Sequence, residues 1–445
     1  MNYLKIITLI VSLFFLGQTF LIKKLVGTYL SPGGLFSFFW FIFSFFPLIL
    51  LPSIPINPLG ITFILTCTIF FNLSTIFFDW KNALAINRSN KIVSLAKLNS
   101  KFSKWLLILC FVSSILFSSL SVISNGFGIK LFITDFIGAS ARYAALRGNE
   151  YLDYGIYGTL GVFFTYFGAL LGAIILSLTP KKRNIVIFLS IFPSVFAMLT
   201  QSSKLIFFIA VIFFVSSTFL LRIFKDEKFI LKRSDMIRLF KIAIIFIPIL
   251  FIAFISREGY NDFSNTQEAA NLILPAVASY FFGSFYAFCD YYAFYMGSGY
   301  LNNYDIDVYN YGYYSFKAIY DTFGGNKYFP PGFYADYYIY KDSLATNIYT
   351  AFRGFIQDFG TIGCLVFMFA FGLFSNLCFY LLLVRKKPWL YCGIYITMVA
   401  FVCLSFLISI FTARYVFLLS IALIIYLFIN DLISPSLAQI SKKGK

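Results

Sequence analysis

Histidine is absent from the 445 residues, and only 12% of them carry charge. Without imidazole the commonest zinc ligand and the commonest general base are both missing, so no metal site and no other cofactor is expected. Cysteine is scarce too. Of the seven, Cys67, Cys110, Cys364, Cys378, Cys392 and Cys403 fall inside apolar runs, where a thiol acts as a small filler. Cys289 alone lies outside such a run, which leaves no disulfide framework. Internal repeats, simple-sequence tracts and a separate soluble domain are all lacking, so residues 1–445 read as one integral membrane domain.

What is present is apolar length. The chain is 60% hydrophobic and 22% aromatic with a mean hydropathy of +0.84, far beyond the apolar share of soluble domains. Apolar runs of about 20 residues recur, each long enough at about 1.5 Å per residue to cross a hydrocarbon core of about 30 Å. The expected fold is an all-α polytopic membrane protein of about eleven spans. They are placed at Leu4 to Ile22, Leu35 to Leu51, Gly60 to Phe78, Trp105 to Ile123, Ile156 to Leu178, Ile185 to Thr200 and Leu205 to Leu221. Ile242 to Ile255, Ile362 to Val384, Trp389 to Ile410 and Val416 to Asn430 complete the set. Pro193 and Pro248 mark two of them for kinks. Glycines 155, 158, 161, 168 and 172 run into a span with no preceding strand, which reads as close helix packing and not as a nucleotide loop.

The net charge of +17 sorts by topology. Lys23 and Lys24, the cluster from Lys81 to Lys104, Lys181 to Arg183, Arg222 to Lys241, Arg385 to Lys387 and Lys442 to Lys445 all fall in the cytoplasm if the amino terminus lies outside. On that orientation about 24 of the 35 basic residues and about 5 of the 18 acidic ones are cytoplasmic. Orientation alone accounts for the basic excess, so no nucleic-acid partner is expected. The first span has a thin charged start and no small-residue cleavage site, and reads as a retained helix.

One interval departs from the pattern of short connections. From Arg257 to Asp358 the chain is expected to stay on the extracytoplasmic side for about a hundred residues, far beyond an ordinary loop. Within it Asn271 to Met296 is apolar but carries Asp290, and is read as interfacial or re-entrant. Tyrosines crowd Tyr300 to Tyr340, with aspartates interleaved. Aromatic faces and carboxylate acceptors together suit sugar rings, and Tyr313, Tyr314, Asp336 and Tyr337 are the candidates. An aromatic belt at the membrane surface has the same composition.

Arginine outside the cytoplasm runs against the positive-inside rule, so Arg257, Arg353 and Arg414 are the most informative charges. Guanidinium grips phosphate bidentately, and several converging would suit a pyrophosphate; snorkelling to lipid headgroups is the plainer alternative. Arg142 and Arg147, in the loop Ser124 to Tyr154, and Lys204, in the turn Thr200 to Lys204, are further candidates. Arg353 and Gln357 are four apart and share a helix face, with Asp358 about 100° further round at the membrane boundary. An acid there is costly unless partnered by Arg353 or Arg414, or functional. With no histidine, Asp358 and Glu258 are the candidate bases for a hydroxyl proton.

The pattern N-x-Y-T-x-x-R-x-x-x-x-D-F-G-x-x-G at Asn347 to Gly363, running into a span, resembles the oligosaccharide repeat-unit polymerases, the Wzy-type O-antigen and capsule polymerases. Ser31 and Pro32 before a span, the turn ending in Lys204, the large loop and the many helices are similar to that family. Lys204 departs from it, since many relatives place arginine there. The resemblance implies a glycosyltransferase of the bacterial inner membrane, active on the extracytoplasmic face. Its substrates would be oligosaccharides on undecaprenyl pyrophosphate, the carrier pyrophosphate being the leaving group, with membrane lipid around it and a protein that sets chain length as a further partner. Arg257, Arg353 and Arg414 would then form a diphosphate clamp, supported by Arg142, Arg147 and Lys204. A lipid-linked oligosaccharide flippase and a ligase-like glycosyltransferase are the alternatives. A flippase would call for repeated halves and charges inside the spans, and neither is visible.

Overall fold

The computed structural model describes residues 3–90, 101–148, 155–178, 183–230, 266–323 and 334–433, with single positions at Pro248, Phe251 and Phe254. Its helices are α1 Tyr3–Val26, α2 Pro32–Leu50, α3 Pro58–Leu73, α4 Trp80–Asn90, α5 Lys101–Ser124, α6 Ile129–Thr134, α7 Phe136–Gly148 and α8 Gly155–Leu178. They continue as α9 Arg183–Thr200, α10 Lys204–Phe224, α11 Thr266–Tyr295, α12 Lys317–Thr322, α13 Ala351–Val384, α14 Trp389–Leu404 and α15 Arg414–Ile433. Among the described residues, 10 helices are long and apolar enough to cross a membrane, and α14 is a shorter apolar one. Every expected span coincides with a helix except Ile242 to Ile255, which lies outside the described residues apart from Pro248, Phe251 and Phe254.

Three expectations need correction. Asn271 to Tyr295 belongs to one continuous 30-residue helix, α11, with Met296 in the turn after it, and Ile273–Tyr295 is long and apolar enough to cross. Asp290 does not break it, because its carboxylate accepts from the Leu301 N–H (2.7 Å), the Asn302 N–H (3.0 Å) and the Tyr304 hydroxyl (2.7 Å). A buried acid so provided for is tolerated where a bare one is not. Cys289 therefore also lies in an apolar helix, buried like the other six cysteines. Lastly, α14 ends at Leu404, short of Ile410, and the apolar chain beyond it turns through a 3-10 segment, Ile410–Thr412.

Contacts divide the chain into two compact units. The first comprises Met1–Lys81, Phe229–Tyr380 and Met398–Arg414; the second comprises Asn82–Lys228, Leu381–Thr397 and Tyr415–Lys445.

In the first unit the starts of α2 and α3 are written locally. Ser31 and Asn57 each cap the N–H groups ahead of them, at 3.2 and 3.0 Å, and a proline follows each where its missing N–H costs nothing. Buried polar pairs fasten the helices, Ser12 to Ser44 at 2.7 Å and Asn72 to Ser37 at 3.0 Å. Gly60 of α3 lets α11 come close: a Cβ there would lie 2.6 Å from the Cys289 Cα. Against α11 also sits a small antiparallel hairpin, β1 Tyr338–Tyr340 with β2 Leu344–Thr346, in the register Tyr338 to Thr346. Gly283 admits it, and Ser279 accepts from the Ala345 N–H at 3.0 Å.

In the second unit α8 packs between neighbours through the glycines expected to do so. Gly161 meets Ser118 of α5, Gly168 meets Cys110 of α5 and Gly172 meets Ser190 of α9. Ser114 and Thr165 share a hydrogen bond of 2.5 Å across the α5–α8 contact. Tyr426 and Asn430 of α15 both reach Ser103 of α5, each at 2.8 Å.

Candidate functional site

The site is built on a break in α13. Gly360 adopts φ 67°, ψ 179° inside that helix, a left-handed backbone that an L side chain resists. Residues 351–359 thus form a short helix of their own before the long span resumes. A break frees the carbonyls just before it from the helical ladder, and the loop at 309–316 fills them. The Asn310 N–H donates to the Gln357 carbonyl (3.1 Å) and the Tyr311 N–H to the Asp358 carbonyl (3.2 Å). The Tyr309 ring lies 3.3 Å from where a Gly360 Cβ would be.

Asp358 completes this latch. One carboxylate oxygen accepts from the Tyr314 N–H at 2.9 Å, and the other from the Ser315 N–H at 2.6 Å and its hydroxyl at 2.5 Å. Neither arginine considered as its partner is in that set.

The short helix packs against α2 and the segment after α14. Phe352 packs on Trp40 (5.4 Å) and Phe36 (6.4 Å) near the middle of α2, and the Ala351 N–H donates to the Ser405 carbonyl at 2.8 Å. Protein thus surrounds the irregular backbone, the setting in which a membrane protein tolerates it.

Arg353 projects from this helix and is only 1% exposed. Its Nη2 pairs with the Asp336 carboxylate, whose side chain is 14% exposed. Rings enclose the cation: Tyr334 and Tyr349 centroids lie 4.1 Å from Cζ, Tyr291 4.4 Å and Tyr304 5.6 Å. A desolvated cation gains from such faces. Burial pushes the phenols of Tyr304, Tyr334 and Tyr349 well above their ordinary value, with Arg353 opposing it at the last two. The cage is therefore made of neutral hydroxyls.

Several buried polar atoms here have no hydrogen-bond partner among the described residues: Arg353 Nε and Nη1, Gln357 Oε1, Thr350 Oγ1 and the Tyr291 hydroxyl. Thr350, Arg353 and Gln357 fall at i, i+3 and i+7, so they share one helix face. Buried polar groups are rarely left in that state, and a cluster of them calls for an explanation.

The other candidates are distributed unevenly. Arg414 opens α15 with its side chain 63% exposed, 3.5 Å from the Asp321 carboxylate, which also holds Lys317 at 2.6 Å. Tyr314 is half-buried and stacks on Tyr334 at 5.8 Å, and Tyr313 is buried against Tyr314 and Tyr320. Tyr337 is exposed. Arg142 is exposed on α7, Arg147 lies on the same helix, and Lys204 is buried at the start of α10, beside Ser202, whose hydroxyl donates to the Ser140 carbonyl. These three belong to the second unit. Arg257 and Glu258 lie outside the described residues.

Sequence reasoning missed Tyr291, Tyr304, Tyr334 and Tyr349 as a cage. Tyr349 stands inside the motif, and the others were hidden in a crowd of like residues.

Fold and site together define an all-α polytopic membrane protein that carries a caged arginine on a broken helix. No family model, curated protein or solved structure matches the chain.

Proposed function

We propose that the chain is a glycosyltransferase that polymerises oligosaccharide repeat units carried on undecaprenyl pyrophosphate, into O-antigen or capsular polysaccharide, at the extracytoplasmic face of the bacterial inner membrane. The observation that carries this reading is Arg353: a guanidinium withdrawn from water, with donors that no described group fills, on an embedded helix among tyrosines. An ionisable group buried among the helices of a membrane protein is functional by default. The resemblance of Asn347 to Gly363 to repeat-unit polymerases supports the same conclusion. The positive-inside rule supports the sidedness, since the turn between α2 and α3 is away from Lys23 and Lys24.

The reaction requires little apparatus. An acceptor hydroxyl oxygen attacks the anomeric carbon of the growing chain, the bond from that carbon to the pyrophosphate oxygen breaks, and the electron pair leaves with undecaprenyl pyrophosphate. Arg414 and Lys317, which meet at Asp321, are placed to receive the charge that builds on the leaving group. A positioned cation often contributes about 10² to 10³ in rate. The hydroxyl proton passes to a carboxylate. Asp336 is the acid at the cage, while both oxygens of Asp358 are already engaged by the loop. No nucleotide sugar enters the scheme.

The test is to incubate the purified full-length protein in lipid nanodiscs with a pyrophosphate-linked repeat unit alone. A ladder of longer glycans is expected. Translocation of the unit without lengthening would instead make the chain a flippase.

A further inference from the structure

We infer that the Arg353 face is a subsite reading the hydroxyl groups of an uncharged sugar ring, and that the pyrophosphate is held elsewhere. The inference deepens the polymerase reading and rests on it.

Charge is the first argument. Arg353 is already matched by Asp336, so the pair is neutral as it stands. A pyrophosphate ester would bring at least two negative charges against a cation whose charge is spent, at a position only 1% exposed. Charges buried without compensation are strongly disfavoured. A sugar ring brings none.

Hydrogen-bonding type is the second. The unpartnered atoms on this face are of both kinds: Arg353 Nε and Nη1 can only donate, Gln357 Oε1 can only accept, and the Thr350 and Tyr291 hydroxyls can do either. An ionised phosphate has acceptors only and would leave Gln357 Oε1 unfilled unless the amide turned over to present its NH₂ group. Neighbouring sugar hydroxyls each donate and accept, so one diol can serve the arginine and the glutamine one helical turn away.

The surroundings agree. The cage is bordered by half-buried Tyr314, stacked on Tyr334, and by Asp336, which is 14% exposed. Aromatic rings favour the C–H faces of sugars. Asp336 then stands beside the hydroxyls that the arginine orders, where a proton must be removed from one of them. The more accessible cations, exposed Arg414 and half-buried Lys317, are left for the pyrophosphate.

Binding to the full-length protein in nanodiscs separates the two assignments. The probes are undecaprenyl pyrophosphate, and the lipid-linked oligosaccharide extracted from a host strain deleted for this chain. Q357L and R353K should weaken the sugar-bearing probe about tenfold or more, the loss typical of an unmade buried hydrogen bond, and change undecaprenyl pyrophosphate less than about twofold. R414A should weaken both probes alike, since both carry pyrophosphate. If R353K lowers binding of both probes equally, Arg353 holds the pyrophosphate and the inference falls. It falls also if the unsubstituted protein binds both probes equally and Q357L changes neither. Q357L keeps the test open should R353K fail to fold. Failure of the polymerase reading would appear separately, as sugar-dependent binding without a glycan ladder.

Discussion

Replacing Asp358 by asparagine should release the 309–316 loop while leaving the membrane helices assembled. The carboxylate receives two backbone N–H groups and one hydroxyl, and it is almost fully buried. Hydrogen bonds to a charged acceptor contribute about 1.5–3 kcal/mol each, and a buried donor left unmade costs about 1–3 kcal/mol. Asparagine keeps one acceptor oxygen and turns an NH₂ toward donors on the other side. A local loss of about 3 kcal/mol follows, equivalent to about a hundredfold greater opening of the loop. Hydrogen exchange should show it: protection of the Tyr311, Tyr314 and Ser315 amides falls about a hundredfold, while amides within α2 and α3 are unchanged. If the chain is the proposed polymerase, chain extension should weaken mainly through substrate affinity, because Tyr314 loses its fixed place. Unchanged exchange accompanied by abolished chemistry would refute this account and return Asp358 to the role of acid or base.

Gly360→Ala forces a side chain into a left-handed backbone against the Tyr309 ring, so the thermal midpoint should fall by the equivalent of about 1–2 kcal/mol, with the loss confined to variants larger than glycine. Asp336→Ala strands a buried cation and should destabilise by about 3–5 kcal/mol. Arg353→Ala should cost less, since Asp336 reaches solvent, and the double variant should fall short of the sum by about 2 kcal/mol in unfolding measurements; additive losses would mean that the pair does not interact. The raised phenols of Tyr304, Tyr334 and Tyr349 predict alkaline sensitivity. Their folded values lie above the unfolded value of about 10. The stability they contribute is therefore complete below about pH 10 and is lost as pH rises toward the folded values. Tyrosinate absorbance should appear in step with unfolding, and phenylalanine at all three positions should blunt that dependence.

Much of the architecture was legible because a span announces itself by apolar length, a property of neighbouring residues. What sequence reading got wrong was tertiary in origin. Asp290 looked like an interruption because the donors that neutralise it, Leu301, Asn302 and Tyr304, lie beyond the helix end. Residues Phe406 to Ile408 are as apolar as those before them, so nothing local foretells the end of α14 at Leu404. In the site, Arg353 and Gln357 were recognised as sharing a face because a spacing of four fixes that. Their neighbours were not, since Tyr291, Tyr304, Tyr334 and Tyr349 arrive from separate segments, and no periodicity singles out four tyrosines among 31. The partner of Arg353 was Asp336, sorted beforehand with the sugar candidates.

The junction of Ala351 with Ser405 has a bearing on the proposed chemistry. Helix N-termini ordinarily offer bare amides and partial positive charge to anions. Here the first amide donates to the carbonyl of Ser405, just past the end of α14, so two segments distant in sequence are joined at that point. That amide is thereby withheld from any anion, and side chains carry more of the work of holding one. The junction also ties the helix of Arg353 to the turn at 405–413, which sets Phe411 against Phe316 and leads directly into Arg414, so a change in that turn bears on the caged arginine and on the outer cations together.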